Sequence, residues 1–350
     1  MTVLTPAPPQ PDVTWQAPSF VPRRGLANGH LMTVFAWASR RRFDALPPAD
    51  PRLIRVSDDT QVLAHCYWQP QREGCPTVLV LHGLEGSSSV HYMRGVAAKA
   101  WGAGWNAVLL NQRNCGGTEH LTPHLYHSGL TDDPREVIRA LAASDGLRDF
   151  GVVGYSLGGN LTAKLAAEMI DHPDVPVRGA VAICPTIDLD RCVRAIERRS
   201  NTVYQLNFVR NLRARMRRKA AAWPGRYDLS ALDRIWTIRA FDDAYTAPYH
   251  GFGDAANYYR LASALRVIDR VNVPLLILAA EDDPFVPAAQ FRADAIRDNP
   301  DVRVTVTDRG GHCAFLSAPR TDDGYWAETQ AIAFLTTVMP ATTRGRAAVR

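Results

Sequence analysis

The sequence holds 350 residues, 46% hydrophobic and 21% charged, which is ordinary for a globular protein and ample for a buried core. A formal charge of +5 and a pI near 9.0 favour approach to an anionic surface, yet no recognised module accompanies the charge, so nucleic acid is not expected as a partner. No apolar run reaches the ~18 residues of a membrane span, and neither H-E-x-x-H nor a zinc-spaced Cys/His cluster occurs, so neither metal nor cofactor is expected.

Residues 1–22 carry six prolines and no periodicity, and predict an extended arm. The first residues have no basic n-region and no apolar h-region, so no signal peptide is expected. With that, Cys66, Cys75, Cys115, Cys184, Cys192 and Cys313, scattered and without C-x-x-C, read as reduced thiols of a cytoplasmic protein. Residues 23–45 read as a small, partly helical segment. From Arg52 to Trp68 two alternating stretches flank Asp58-Asp59, a hairpin signal.

Strand and helix patterns then alternate. Apolar strands are expected at Thr77–His82, Trp105–Leu110, Phe150–Val153 and Val177–Cys184, with helices at Val90–Trp101 and Asp132–Ala143 between them. That rhythm predicts an α/β fold with a mostly parallel sheet and helices on both faces. At Pro185 it breaks. Residues 186–269 read as a helical insertion rich in arginine and aromatics, and the sheet resumes with Leu275-Leu276-Ile277-Leu278. A helix near Ala288–Arg297, a strand at Val302–Val306 and a helix from Tyr325 to about Val338 follow. The expected organisation is an arm and small segment over 1–45, a core over 46–185 and 270–340, a lid over 186–269 and a basic tail over 341–350.

Chemistry concentrates where strand meets helix. Gly154-Tyr155-Ser156-Leu157-Gly158 is a G-x-S-x-G string between an apolar strand and a helix-forming run. This is the pattern of a nucleophile elbow, in which a sharp turn exposes the serine at a helix N-terminus where free N–H groups favour negative charge. Beyond the resumed strand lie Glu281, Asp282 and Asp283. Asp283, just before Pro-x-Val-Pro, is the expected partner acid, and the other two read as solvated loop residues. His312, after Gly310-Gly311, completes the order Ser…Asp…His. Its imidazole is expected to take the Ser156 proton while Asp283 fixes the tautomer. The oxyanion donors are expected to be the N–H groups of Leu157 and of Leu84 in His82-Gly83-Leu84-Glu85-Gly86.

At this point the chain resembles the AB hydrolase-4 family of α/β-hydrolases, the bacterial YheT-like proteins and their eukaryotic ABHD acyl-lipid relatives. The matching stretches, spread over about residues 25–335, include Asn28-Gly29-His30-Leu31-Met32-Thr33, His82 to Gly86 and Asn111-Gln112-Arg113-Asn114-Cys115-Gly116-Gly117. Others are Tyr126 to Asp133, the elbow through Asn160, and Phe241-Asp242-Asp243-Ala244-Tyr245 within the insertion. The resemblance implies an α/β-hydrolase fold with a helical lid, and a Ser156/Asp283/His312 triad that cleaves carboxylic acyl esters. Met32, Gly116 and Ala314 depart from the family's usual residues without touching the triad.

The expected function is a serine hydrolase for short- to medium-chain esters or acylglycerols; a thioesterase or amidase on the same triad, or a non-catalytic ligand receptor, are the alternatives. Asp242 and Asp243 read as capping or salt-bridging residues, and Cys115 and Cys313 as small buried hydrophobes beside the site. On Asn207–Lys219, Phe208, Leu212 and Met216 form one apolar stripe with a basic remainder. That helix reads as a solvated lid, with peripheral contact to an anionic membrane as the second reading.

Overall fold

Alternation of exposed and inward residues builds the first two strands, β1 (Asp50–Ser57) and β2 (Thr60–Tyr67), joined through Asp58-Asp59 as an antiparallel hairpin. The next three strands are buried throughout and, after Thr77 and Asn106 at the head of the first two, almost wholly apolar: β3 (Thr77–Leu81), β4 (Asn106–Leu110) and β5 (Phe150–Tyr155). Strands without a polar face need cover on both sides. β6 (Val177–Ile183), β7 (Leu275–Ala280) and β8 (Val302–Thr307) complete one eight-stranded sheet in the order β1-β2-β4-β3-β5-β6-β7-β8, parallel from β4 onward. These observations come from a computed structural model that describes residues 15–318 and 323–339; most of the expected Pro-rich arm and the basic tail lie outside the described residues.

Helix α1 (Gly29–Ala38) precedes the sheet, its N-terminus capped by the Asn28 side chain. One face of the sheet is covered by α2 (His91–Gly102) and the terminal helix, which share a core of Met93, Val96, Phe334 and Leu335. The other face is covered by α3 (Asp132–Asp145) and α4 (Leu157–Glu168), with Ile138, Leu161 and Leu165 turned inward. The sheet's C-terminal edge is thereby left free of cover, and there the insertion sits.

Between β6 and β7 come α5 (Leu189–Ile196), α6 (Thr202–Ala222), the short α7 (Ile238–Phe241), a π-helical stretch Asp242–Thr246, the single turn α8 (Ala247–Tyr249) and α9 (Ala255–Ala262). They enclose a core of their own around Leu212, Met216, Phe241 and Tyr259, which Phe285 joins from the sheet side. Beyond β7 one expectation fails. Residues 288–297 form a 3-10 turn (Ala288–Arg292) and α10 (Asp294–Arg297), separated by an extended Ala293. Ala288 and Phe291 are buried at the three-residue spacing of a 3-10 turn. A continuous α-helix would carry Ile296, five residues beyond Phe291, off that face; the break returns it to the core. After β8 the terminal helix α11 (Trp326–Val338) closes the chain over β6 and β7.

Candidate active site

Ser156 sits between β5 and α4 with φ 54° and ψ −115°, a conformation that residues with a Cβ seldom adopt. The glycines around it make the turn possible. A Cβ on Gly154 would lie 2.1 Å from the Gly158 carbonyl oxygen, and one on Gly158 would lie 2.4 Å from that of Leu81. The Ser156 N–H donates to Ile183 O at 2.9 Å, so the neighbouring strand holds the turn from below.

His312 reaches Ser156 from the loop after β8. Its Nε2 lies 3.0 Å from Ser156 Oγ, and its Nδ1 lies 2.8 Å from Asp283 Oδ2. The carboxylate fixes the tautomer: Nδ1 donates to it, leaving Nε2 free to accept from the hydroxyl. Asp283 is itself anchored, since its Oδ1 accepts the N–H groups of Phe285 (2.9 Å) and Val286 (3.0 Å). Burial works against the imidazolium, but the Asp283 carboxylate outweighs it and holds the His312 pKa above the ordinary 6.5.

The loop 82–86 runs beside the serine. Buried His82 donates through Nδ1 to Gly83 O (2.7 Å) and accepts the Gln112 N–H at Nε2 (3.1 Å), and burial lowers its pKa to about 4, so it stays neutral. The Gly83 N–H donates to Tyr92 Oη at 3.1 Å. These bonds leave Leu84 facing Ser156 in the same cavity. Leu157 is the first residue of α4, where an N–H has no intrahelical acceptor.

Of the acids after β7, Asp283 meets the histidine, and Glu281 pairs with Arg292 at the surface. Asp282 departs from the solvated-loop expectation. It is largely buried, and its Oδ1 accepts the Gly311 N–H at 2.9 Å, holding the backbone immediately before His312. A second brace comes from far away in sequence: Thr33 Oγ1, on α1, accepts the His312 N–H at 2.8 Å and donates to Gly29 O. The motif at 28–33 gave no hint of this task by itself.

Two cavities meet at Ser156 and share Leu84, Phe208, Phe285 and His312. The inner one lies beneath the insertion and is lined by apolar side chains such as Leu189, Val193, Leu212 and Ile238. The outer one opens between α1 and the start of α6, past Val34, Trp37, Tyr92 and Val203. Trp37 and Val203 are 71% and 79% exposed, so an apolar rim surrounds the outer mouth.

The basic remainder of α6 is only in part the solvated face expected of it: Arg210, Arg217 and Arg218 are exposed, but two other basic residues turn inward. Arg215 is buried against Glu85 of the 82–86 loop, with its guanidinium 4.4 Å from the centre of the Tyr126 ring. Lys219 is buried too, donating to the carbonyls of Glu119 and Thr122, and burial brings its pKa down to about 7. Arg213 and Arg217 pair with Asp233, and Arg218 with Glu119. The signal was present in the spacing: positions 208, 212, 215, 216 and 219 share one helix face. In the π-helical stretch, Asp242 accepts from Thr246 Oγ1 (2.6 Å) and Tyr259 Oη (2.7 Å), while Asp243 takes the Ala255 N–H at the start of α9 (2.7 Å). Burial lifts the Asp242 pKa to about 6.

A family model described as alpha/beta hydrolase fold matches residues 76–319. The YheT protein of Escherichia coli is 35% identical over 325 residues, 92% of this chain and 94% of its own length. The monoacylglycerol lipase of Saccharomyces cerevisiae is 27% identical over 303 residues, 84% of this chain and 63% of that protein. Among solved structures, the Pyrococcus furiosus esterase Pf2001 aligns with a TM-score of 0.54 at 17% identity, over 86% of this chain and 97% of that one, a likeness of fold.

Proposed function

The chain belongs to the alpha/beta hydrolase fold family and is an esterase- or lipase-type hydrolase; from that premise we propose that it cleaves short- to medium-chain carboxylic esters or acylglycerols with Ser156 as nucleophile. The observation that carries this reading is the unbroken relay Ser156 Oγ–His312–Asp283, with bonds of 3.0 and 2.8 Å, at the junction of two apolar cavities.

In this mechanism the acyl chain enters the inner cavity, the smaller of the two, and the alcohol points to the outer mouth. As Ser156 Oγ attacks the ester carbonyl, its proton passes to His312 Nε2, and Asp283 stabilises the imidazolium that results. The N–H groups of Leu84 and Leu157 receive the oxyanion. His312 then protonates the departing alcohol, and water attacks the acyl-enzyme by the same relay in reverse. Every step uses groups of this chain, and no cofactor is invoked.

The six cysteines are free thiols, which suits the cytoplasmic location also proposed. Among the described residues no helix is long and apolar enough to cross a membrane. Because Arg215 and Lys219 are buried, contact with a lipid surface would run through the rim of Trp37 and Val203 with the outlying arginines beside it. A fluorophosphonate probe tests the central claim. Labelling in the wild type and its loss in Ser156→Ala is the expected result, and a folded wild type that never labels would favour a receptor. Turnover of matched esters and thioesters from acetyl to palmitoyl then separates the leaving groups and sets the acyl length.

A further inference from the structure

The cysteines were expected to be small buried hydrophobes, and Cys66, sealed in an apolar core, is placed as such. Two others are not. Cys184 lies directly after β6 and Cys313 directly after His312, 129 positions apart in sequence. Both have backbones in the left-handed region, φ 44° and 58°. The Cys313 N–H donates to Cys184 Sγ at 3.3 Å. The Cys184 thiol faces Gly311 O and the Cys313 thiol faces Ile183 O, each at 3.7 Å. The two sulfurs and a ring nitrogen of His312 lie within 4.8 Å of one another.

We infer that Cys184, Cys313 and His312 form an inhibitory binding site for zinc or another thiophilic divalent cation, reached through the outer cavity. Two thiolates and an imidazole are the ligand set such an ion prefers, at about 2.3 Å from sulfur and about 2.0 Å from nitrogen. Ligand atoms on one tetrahedral ion stand roughly 3.5–3.8 Å apart, so the three groups need close by about 1 Å at most. Access exists, because His312 and Cys313 both line the outer mouth. Binding releases to solvent the two thiol protons, and any proton on the ligating ring nitrogen, as two metal–sulfur bonds and one metal–nitrogen bond form, and no electron is transferred. The third ligand is the consequential one. A ring nitrogen committed to a metal leaves the relay between Ser156 and Asp283, so the ion silences the hydrolase reversibly without occupying the acyl cavity.

The inhibitory half of this inference rests on the serine-hydrolase reading; the binding half does not. Cobalt(II) as a spectroscopic substitute for zinc tests binding alone. The expected result is a thiolate-to-cobalt charge-transfer band reaching its maximum at one equivalent, lost in Cys184→Ala and in Cys313→Ala and kept in Cys75→Ala, a half-exposed thiol elsewhere. Cys184→Ser and Cys313→Ser, closer in size, repeat the comparison should an alanine variant misfold. Zinc should also block fluorophosphonate labelling of the wild type, with recovery on chelation, and should leave both cysteine variants labelled. Absence of the band, or equal zinc inhibition of wild type and variants, overturns the site. A band without any labelling would sink the hydrolase reading and leave the metal site standing.

Discussion

The elbow and the insertion meet at Ser156 and are held there by opposite physical means. At the elbow, position is set by main chain: the Ser156 N–H donates to Ile183 O, and there is no room for a Cβ at Gly154, or at Gly158 beside the Leu81 and His82 carbonyls. In the insertion, position is set at a distance. Arg215 and Lys219 are carried into the interior by α6 and meet Glu85, Glu119 and Thr122, about 100 or more residues earlier. Close backbone packing tolerates no added side chain at these two glycines but needs no charged partner. Buried charge tolerates conservative change but fails when one partner goes, because the other is then stranded away from water.

The largest effect that would sharpen this contrast belongs to the elbow. Gly158→Val should destabilise by about 4 kcal/mol or more, since its Cβ meets the Leu81 and His82 carbonyls and neither strand end can retreat. Urea unfolding monitored by circular dichroism reads it, and a variant of near wild-type stability would show the turn to be softer than argued. Next comes Arg215→Met, expected to cost about 3–5 kcal/mol by stranding Glu85. Arg215→Lys should recover part of that, keeping the charge while losing the planar contact with Tyr126. If Arg215→Met unfolds at the wild-type urea midpoint, the insertion is not held this way.

Smaller still is the brace from α1. Thr33→Val removes the acceptor of the His312 N–H and should lower kcat by about tenfold with KM nearly unchanged, whereas Thr33→Ser should restore it. A fall in KM-dependent terms alone would assign Thr33 to substrate binding instead.

A change of pH separates the two regions by the kind of response rather than by its size. As the proposed base, His312 must be neutral to act, and the Asp283 carboxylate raises its pKa, so kcat/KM should rise with pH along a limb centred above 6.5. A flat profile from pH 5 to 8 would count against His312. Lys219 moves the other way: its folded pKa, about 7, lies below the ordinary 10.5. The unfolded chain therefore binds the extra proton between those values, and the insertion gains stability as pH rises from 7 toward 10. Thermal unfolding across that window should show the gain, and Lys219→Met should flatten it.

What could be read in advance follows the same division. The strands, the elbow and the order of Ser156, Asp283 and His312 are encoded in short runs, where apolar periodicity and glycine spacing speak for themselves. The break at Ala293 was hidden because continuous helical propensity says nothing of which face Ile296 must reach. The charge of Arg215 and Lys219 masked their place on the apolar stripe, since a basic residue is read as solvated until a partner is known. Asp282 and Thr33 were opaque for another reason: each serves a backbone N–H, and a backbone group leaves no trace in the sequence.

The bond from Thr33 to the His312 amide joins positions 279 residues apart. A contact so distant in sequence couples the loop that carries His312 to the integrity of α1: where that helix frays, the His312 amide loses its acceptor while the turn at Ser156 stands.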